Sequence, residues 1–314
     1  MKKLLIATTA LVATAGVAAA DVKLSGYGRF GLDYRADRGL PNGPGGAVTD
    51  SKTQVNMRMR LNIDASTETD SGVTFGGRFR LQSSTNSNAT ATSAALLYAT
   101  YAGMRMEVGN TNNAFDTAKL VYNSEMGYLD RSFGDPITVG AAYSSSTGVA
   151  NTMGIFASYN FGAGSVRVSW KTPDQTTNAS VDEEVQISAD YAFGQFTVSG
   201  VYSDNTGGLA RKDYFIGAEY AVNSDINVGL LHFRGKPDGG ASQNRTTLYG
   251  NYSMGAITYR GYVAHDNSMT LPFQTKTAFG LGLDYDLGGA RLGADIHRSY
   301  DKETVAGLGV RFDF

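Results

Sequence analysis

The chain of 314 residues contains no cysteine, which excludes disulfide bonds, thiolate metal sites and cysteine nucleophiles together. After residue 20 it also lacks any run of 18 apolar residues, so a bundle of membrane-spanning helices is excluded. The only histidines, His232, His265 and His297, are too far apart to have the spacing of a metal site. The chain is rich in glycine and tyrosine, with 39 and 18 residues, and these residue types favour strands and tight turns over helices.

Residues 1–20 have the composition of an export signal. Lys2 and Lys3 precede an uncharged apolar run, and small residues ending at Ala20 precede the first acidic residue, Asp21. This pattern predicts a signal peptide that is cleaved after Ala20, because the apolar run is too short for a membrane anchor. The remaining chain has 25 basic and 29 acidic residues, a net charge of −4 that gives no reason to expect nucleic acid as a partner.

Apolar and polar residues alternate along most of the chain after Asp21. The clearest case runs from Val55 to Ala65, where every second residue is apolar and the residues between them are polar or charged. A period of two predicts a strand with one apolar and one polar face. The pattern recurs to the last residue and predicts sixteen strands, at about 22–35, 52–65, 72–83, 94–102, 104–110, 152–161, 165–172, 184–193, 195–204, 212–221, 226–234, 244–254, 256–266, 275–287, 290–299 and 303–314.

The connections between these strands alternate in length. Tight ones, such as those near Gly103, Gly194 and Gly255, mostly follow longer polar ones. Outer-membrane barrels have short turns on one rim, long loops on the other and an even number of strands. The sequence therefore predicts an all-β fold, a 16-stranded antiparallel transmembrane β-barrel over residues 21–314. A further apolar stretch, Ile137–Tyr143, is assigned to the third loop, because a seventeenth strand there would move every later connection to the other rim.

The apolar faces are those expected of a wall in lipid. Aromatic residues recur near strand ends on these faces, as in the two interfacial girdles of a membrane barrel. They are Tyr34, Tyr159, Phe161, Tyr191, Phe193, Tyr202, Tyr220, Tyr252 and Tyr285. The alternative is a soluble barrel in which such tyrosines fill a core.

Arginines collect on the polar faces of the first three strands. The alternation places five of them on the inside of one wall: Arg29, Arg58, Arg60, Arg78 and Arg80. These side chains could simply be a solvated surface. However, like charges placed side by side repel, and few carboxylates lie between them in the sequence, so a compensating group is expected.

The third loop, residues 111–151, supplies the candidate. A connection of this length is normally functional, and a lumen enclosed by sixteen strands is wide enough to admit it. The loop contains four carboxylates, Asp116, Glu125, Asp130 and Asp135. We expect it to fold inward and to present them opposite the arginines, which forms a constriction that selects by size and charge.

The sequence contains only weak signals for nucleotide binding, catalysis or metal binding. The segment Gly26–Gly31 matches GxGxxG, but it lies within the first strand and has no helix after it. No GxSxG elbow is present, although a serine hydrolase assembled from separate strands, such as a barrel lipase, stays open as an alternative. No cofactor is required by any motif. Carboxylate oxygens are ligands of calcium, so a structural calcium ion is a further hypothesis, but the spacing of the loop carboxylates does not identify its ligands.

Several segments resemble the Rhodobacter-type general porins of alphaproteobacterial outer membranes, and the resemblance extends over essentially the whole mature chain. They are Asp21–Leu32, Gly109–Asp116, Tyr122–Tyr128, Thr246–Tyr252 and Val310–Phe314. The resemblance implies a homotrimer of barrels in outer-membrane lipid and lipopolysaccharide, each a diffusion pore for ions and small hydrophilic solutes with the third loop folded inward. It also implies that the eyelet is formed by the five arginines and four carboxylates named above.

The resemblance further implies that Phe314 is an assembly signal for the outer-membrane assembly machinery. It implies that the two ends of the barrel meet, where an ion pair between the terminal carboxylate and the mature amino group is expected. A channel selective for one sugar or anion is the closest alternative function. Such a channel needs a track of lumen aromatics, whereas the inward positions are mostly Arg, Asn, Thr, Ser and Gly.

Overall fold

The computed structural model describes residues 21–38, 51–85, 90–136, 153–172, 183–206 and 210–314. The predicted signal peptide and Ile137–Tyr143 lie outside the described residues. Sixteen antiparallel strands form one closed sheet, which confirms the predicted fold. The strands are β1 (Asp21–Arg35), β2 (Thr53–Glu68), β3 (Thr74–Ser84), β4 in two parts (Ala91–Thr92 and Leu96–Tyr101), β5 (Met104–Gly109), β6 (Met153–Phe161), β7 (Gly164–Thr172), β8 (Glu183–Phe193), β9 (Phe196–Thr206), β10 (Arg211–Ala221), β11 (Ile226–Pro237), β12 (Gln243–Met254), β13 (Ile257–Asp266), β14 (Thr277–Asp286), β15 (Ala290–Arg298) and β16 (Thr304–Asp313).

The first and last strands close the barrel. Strand β1 pairs with β16 from Tyr27 opposite Asp313 to Arg35 opposite Val305. Phe314 extends this ladder through two backbone hydrogen bonds with Gly26, of 2.7 and 3.0 Å. The expected ion pair at this junction is wrong: Asp21 lies five residues beyond Gly26 on an extended strand, so it is about 17 Å from the chain end.

The outer surface is apolar. In β2 the alternation places Val55, Met57 and Met59 outside, where 67%, 43% and 53% of their surfaces are exposed. Aromatic rings at the tight-turn end contact one another around the rim, with Phe196 lying 5.6 Å from Phe193 and 4.8 Å from Tyr220 between ring centroids. In the part of the chain that is described, no helix is long and apolar enough to cross a membrane.

A hydrophobic core lies inside the barrel, beneath the third loop. Phe115 of the loop packs against Phe215 of β10 and Phe233 of β11, with ring centroids 6.0 and 6.2 Å apart. Leu120 and Val121 are completely buried in the same cluster. The inward faces of β9 to β14 are therefore partly apolar. The prediction of polar inward faces is wrong in this sector because the loop needs an apolar seat there.

Candidate functional site

The third loop, described as far as residue 136, follows the inner wall after it leaves β5. Its first half is held by wall carboxylates and amides that accept hydrogen bonds from loop backbone N–H groups. Phe115 N–H donates to Gln186 Oε1 of β8 at 2.8 Å, and Lys119 N–H donates to Asp190 Oδ1 at 3.1 Å. Further along, the Asn123 amide donates to Glu219 Oε2 of β10 at 3.0 Å. Because two of these acceptors lie on β8 and the third lies on β10, the loop backbone runs along the wall.

The second half of the loop is bound to the other side of the same half-barrel. Thr247 Oγ1 of β12 donates to the carbonyl of Gly134 at 2.7 Å, and the Arg245 guanidinium donates to the carbonyl of Asp135 at 2.7 Å. Near the loop tip, Arg131 forms ion pairs with Asp33 of β1 and, at 3.6 Å, with Asp295 of β15. The loop thus extends from β5 past β8, β10 and β12 to β1.

The tip of the loop lies on a patch of glycines. Met126 and Arg131 bridge to each other and close the turn that contains Tyr128, which is completely buried. A Cβ on Gly309 of β16 would lie 2.7 Å from Tyr128 Cδ2, and one on Gly31 of β1 would lie 2.9 Å from its Cζ. Gly31 and Gly309 are paired in register, and Gly293 of β15 continues the row. Only residues without a side chain leave room for the tip.

Asp130 lies among three arginines. Its Oδ2 is 3.7 Å from Nη1 of Arg29, and it forms ion pairs with Arg291 of β15 and Arg311 of β16. Arg29 also donates to the carbonyl of Leu129 at 3.0 Å. Of the predicted arginines, Arg29 is therefore in direct contact with the loop tip, whereas the sequence predicted that it would face the loop across the lumen.

Arg58, Arg60, Arg78 and Arg80 lie together on the inner faces of β2 and β3, and we call these four residues the basic wall. Arg80 is only 7% exposed, and the others are partly exposed. Arg78 forms a two-point ion pair with Asp64 of β2, with N···O distances of 2.7 and 3.0 Å. Neutral groups accept hydrogen bonds from the other three: Tyr27 and Ser84 from Arg58, Gln82 from Arg60, and Asn62 from Arg80.

The remaining loop carboxylates form a separate cluster. Burial, with the negative charges of Asp135 and Asp130, raises the pKa of Glu125. Burial also raises the pKa of Asp135, although Ser124 donates to Asp135 Oδ1 at 2.9 Å. Asp116 accepts a hydrogen bond from the Tyr122 hydroxyl at 2.5 Å. The loop is thus acidic around Glu125, and Asp130 lies where this acidic cluster meets the arginines.

Sequence reasoning missed three residues of this site. Arg291 and Arg311 bind Asp130, and the ring of Tyr27 lies under the guanidinium groups of Arg311 and Arg60 at 4.4 and 5.2 Å from its centroid. Arg311 was predictable from the sequence, because the alternation in β16 points it inward and β16 adjoins β1. Arg291 was not, because its position depends on the register of β15 against β16, where it pairs with Arg311.

No group of three or more His, Asp and Glu side chains in the described ranges is arranged to hold a metal ion, so the calcium site stays a prediction. His297 is buried beneath the loop, and its Nε2 lies 2.9 Å from Asp295 Oδ2 while its Nδ1 lies 3.0 Å from the Tyr262 hydroxyl. Its partners are thus a carboxylate and a phenol inside the barrel, whereas a barrel lipase needs a Ser–His pair at the lipid boundary.

Comparison with known proteins gives consistent results. The family model described as Gram-negative porin matches residues 7–290. The porin of Fuscovulum blasticum is 38% identical over 94% of this chain and 100% of its own, and that of Rhodobacter capsulatus is 26% identical with the same coverage. Two solved structures of engineered Rh. blastica porin variants are 36% identical, cover 94% of this chain and all of theirs, and superpose with TM-scores of 0.84 and 0.85.

Proposed function

This chain belongs to the family of Gram-negative porins and forms a channel in the outer membrane, and we propose that the channel narrows between the third loop and the basic wall. The observation that carries this proposal is the path of the loop. Its hydrogen bonds attach it to β8, β10 and β12, and its tip binds β1, β15 and β16. The open cross-section is then bordered by the loop on one side and by β2 and β3 on the other.

The charges on the two borders support a selective role. Asp116, Asp135 and Glu125 form a carboxyl cluster on the loop whose negative charge grows as the pH rises, because burial raises the pKa of Glu125 and of Asp135, while Arg58 and Arg60 donate to neutral acceptors on the facing wall. Opposite charges across a narrow passage produce a transverse field, which filters solutes by size and charge without binding one of them tightly. We therefore propose passive diffusion of ions and small hydrophilic solutes as the only activity, with no catalysis and no required cofactor.

The experiment compares single-channel conductance and ion selectivity in planar bilayers for the parent and for Arg58→Ala with Arg60→Ala. Loss of two positive charges from the constriction is expected to raise cation preference, and the shorter side chains are expected to admit larger neutral sugars. Arg234→Ala is the control, because Arg234 is an exposed arginine of β11 on the opposite face from the buried Phe233. Unchanged selectivity and exclusion size in the double variant would mean that these arginines do not line the constriction.

We also propose, from the family, that three such barrels assemble in outer-membrane lipid and lipopolysaccharide after recognition of Phe314 by the assembly machinery. Insertion in triple conductance steps supports the trimer, and single steps contradict it. Saturable block by one sugar would favour the substrate-selective alternative.

A further inference from the structure

A recess of about 450 Å³ lies between the third loop and the tight turn at residues 162–163, and we call it the rim recess. The loop contributes Thr117 and Lys119, and strands on either side of the turn contribute the inner wall. The recess is separate from the basic wall, because it lies at β6 to β9 whereas the basic wall lies on β2 and β3. The residues of its inner wall that matter for binding are Asn160, Ser165, Arg167, Asp190 and Thr197.

Two cations face this recess. Lys119 is exposed, and within the described ranges its ammonium group has no hydrogen bond or ion pair. Arg167 donates from Nη1 to Asp190 Oδ2 at 2.5 Å, and its other N–H groups have no protein acceptor in the same ranges. A guanidinium group has five N–H donors in a planar fork, so Arg167 keeps donors for a second acceptor.

Among the described residues that line the recess, the one carboxylate, Asp190, is already engaged. Asp190 accepts hydrogen bonds from the Lys119 backbone N–H at 3.1 Å, from Ser199 Oγ at 2.5 Å and from Ser165 Oγ at 3.3 Å, besides the bond from Arg167. Four donors on a single carboxylate fix it in place and offset its charge. The recess therefore presents a net positive charge with free donors, which is the chemistry that binds an oxyanion.

We propose that the rim recess is a docking site for compact solutes that carry an oxyanion, with Lys119 and Arg167 binding the charged group. Asn160 and Thr197 provide neutral donors at the same opening. The site rests on the proposed channel function, since solutes reach it through the lumen mouth. It concentrates anions at the tight-turn end of the pore, at a distance from the constriction.

The test measures current block in planar bilayers by glycerol 3-phosphate, glycerate and glycerol, added to one chamber at a time at constant ionic strength. The two charged probes are expected to reduce the open-channel current from the tight-turn side, and glycerol is expected to have no effect. Lys119→Gln is expected to raise the apparent dissociation constant of glycerol 3-phosphate by roughly threefold to tenfold, as loss of a charge-assisted contact in a partly open site. Arg167→Lys, which keeps the charge and loses the fork, is expected to weaken the phosphate more than the carboxylate.

The matched control is Lys276→Gln, an exposed lysine in the connection between β13 and β14 that removes the same charge at the other rim. Equal block of the parent, Lys119→Gln and Lys276→Gln overturns the proposal, as does equal block by glycerol. Block by glycerol 3-phosphate alone identifies phosphate as the group bound, and block by both charged probes identifies oxyanions in general. A parent that conducts normally without any block overturns this site only, whereas a parent without conductance overturns the channel itself.

Discussion

Asp130 of the third loop and Arg311 of the last strand form an ion pair between residues that are 181 positions apart in the chain. Arg29 and Arg291 complete the cationic surroundings of the same carboxylate. Residues from both ends of the barrel sequence thus meet at one loop residue. The position of the loop tip consequently depends on closure of the barrel, and loss of either is expected to disturb the other.

Asp130→Asn is expected to leave the three arginines without their shared carboxylate. Loss of this negative charge is expected to shift the pore toward anion preference, and the loop loses about 1–3 kcal/mol of attachment, which is the usual cost of removing one partner of such a contact. The reversal potential in a salt gradient measures the first effect, and open-channel noise measures the second. Asp225→Asn removes an equal charge from an exposed turn and serves as control. Identical reversal potentials for both variants would contradict a role of Asp130 in the lumen.

Tyr128→Ala is expected to release the loop tip from its glycine seat. Truncation of a completely buried aromatic ring costs about 3–5 kcal/mol. This loss is expected to weaken the binding of the loop to the wall, and not the hydrogen-bonded pairing of the strands. We expect larger and noisier conductance, with the barrel still resistant to denaturants.

The matched control for this variant is Tyr128→Phe. The Tyr128 hydroxyl is buried and has no hydrogen-bond partner in the described ranges, so its removal is expected to be neutral or slightly stabilising. Equal conductance of the alanine variant and the parent would show that the ring does not hold the tip.

The pH dependence of selectivity reports on Glu125. Because burial and the neighbouring Asp135 and Asp130 raise the pKa of Glu125, its side chain stays neutral to a higher pH than an ordinary glutamate, which titrates near 4.3. As the pH rises through the raised pKa, the loop gains one negative charge, so cation preference is expected to increase. Reversal potentials between about pH 5 and pH 10 measure this step.

Glu125→Gln is expected to remove the part of that increase that comes from Glu125, because the amide does not titrate, and to leave the part at lower pH that comes from Asp135. Asp238→Asn, an exposed residue outside the loop, is expected to retain the whole increase. If the glutamine variant showed the same pH profile as the parent, another group would be responsible.

Deletion of Phe314 is expected to impair insertion. The residue contributes both backbone hydrogen bonds to Gly26 at the barrel junction and a ring 6.2 Å from that of Phe312 in the aromatic band. The folded fraction in outer membranes, measured by heat-dependent gel mobility, is expected to fall, while Phe314→Tyr keeps both features and preserves it. A deletion variant that inserts and assembles as well as the parent would refute the role of Phe314 as an assembly signal.

The strand pattern was predictable from the sequence because every strand meets lipid on its outer side, and the strands outside the sector beneath the loop meet water on their inner side. Because of that contrast, apolar and polar residues alternate in segments such as Val55–Ala65. The same parity assigned Arg58 and Arg60 to the inner surface, where they lie. Local signals sufficed for these features, since each depends on a single strand.

The loop contacts were less predictable because they join strands far apart in the chain. Nothing local indicates that Gly31, Gly293 and Gly309 form one row, or that Phe215 and Phe233 face a loop residue inside the lumen. The sequence placed Arg29 with Arg58 on one arginine wall, because the two lie on neighbouring strands. They differ only in that Arg29 contacts the loop tip, at Leu129 and Asp130.

The hydrophobic cluster fixes the third loop to one side of the barrel interior, so the space that stays open lies off the barrel axis. The wall from β8 to β14 supports the loop, and in the proposed channel a solute passes on the other side of the loop, along β2 and β3. Pore properties would then depend mainly on the strip formed by β2 and β3, whereas folding depends on the wall beneath the loop. Substitutions on that strip can therefore retune permeability with little penalty for assembly, which gives this architecture an easily varied filter on a stable frame.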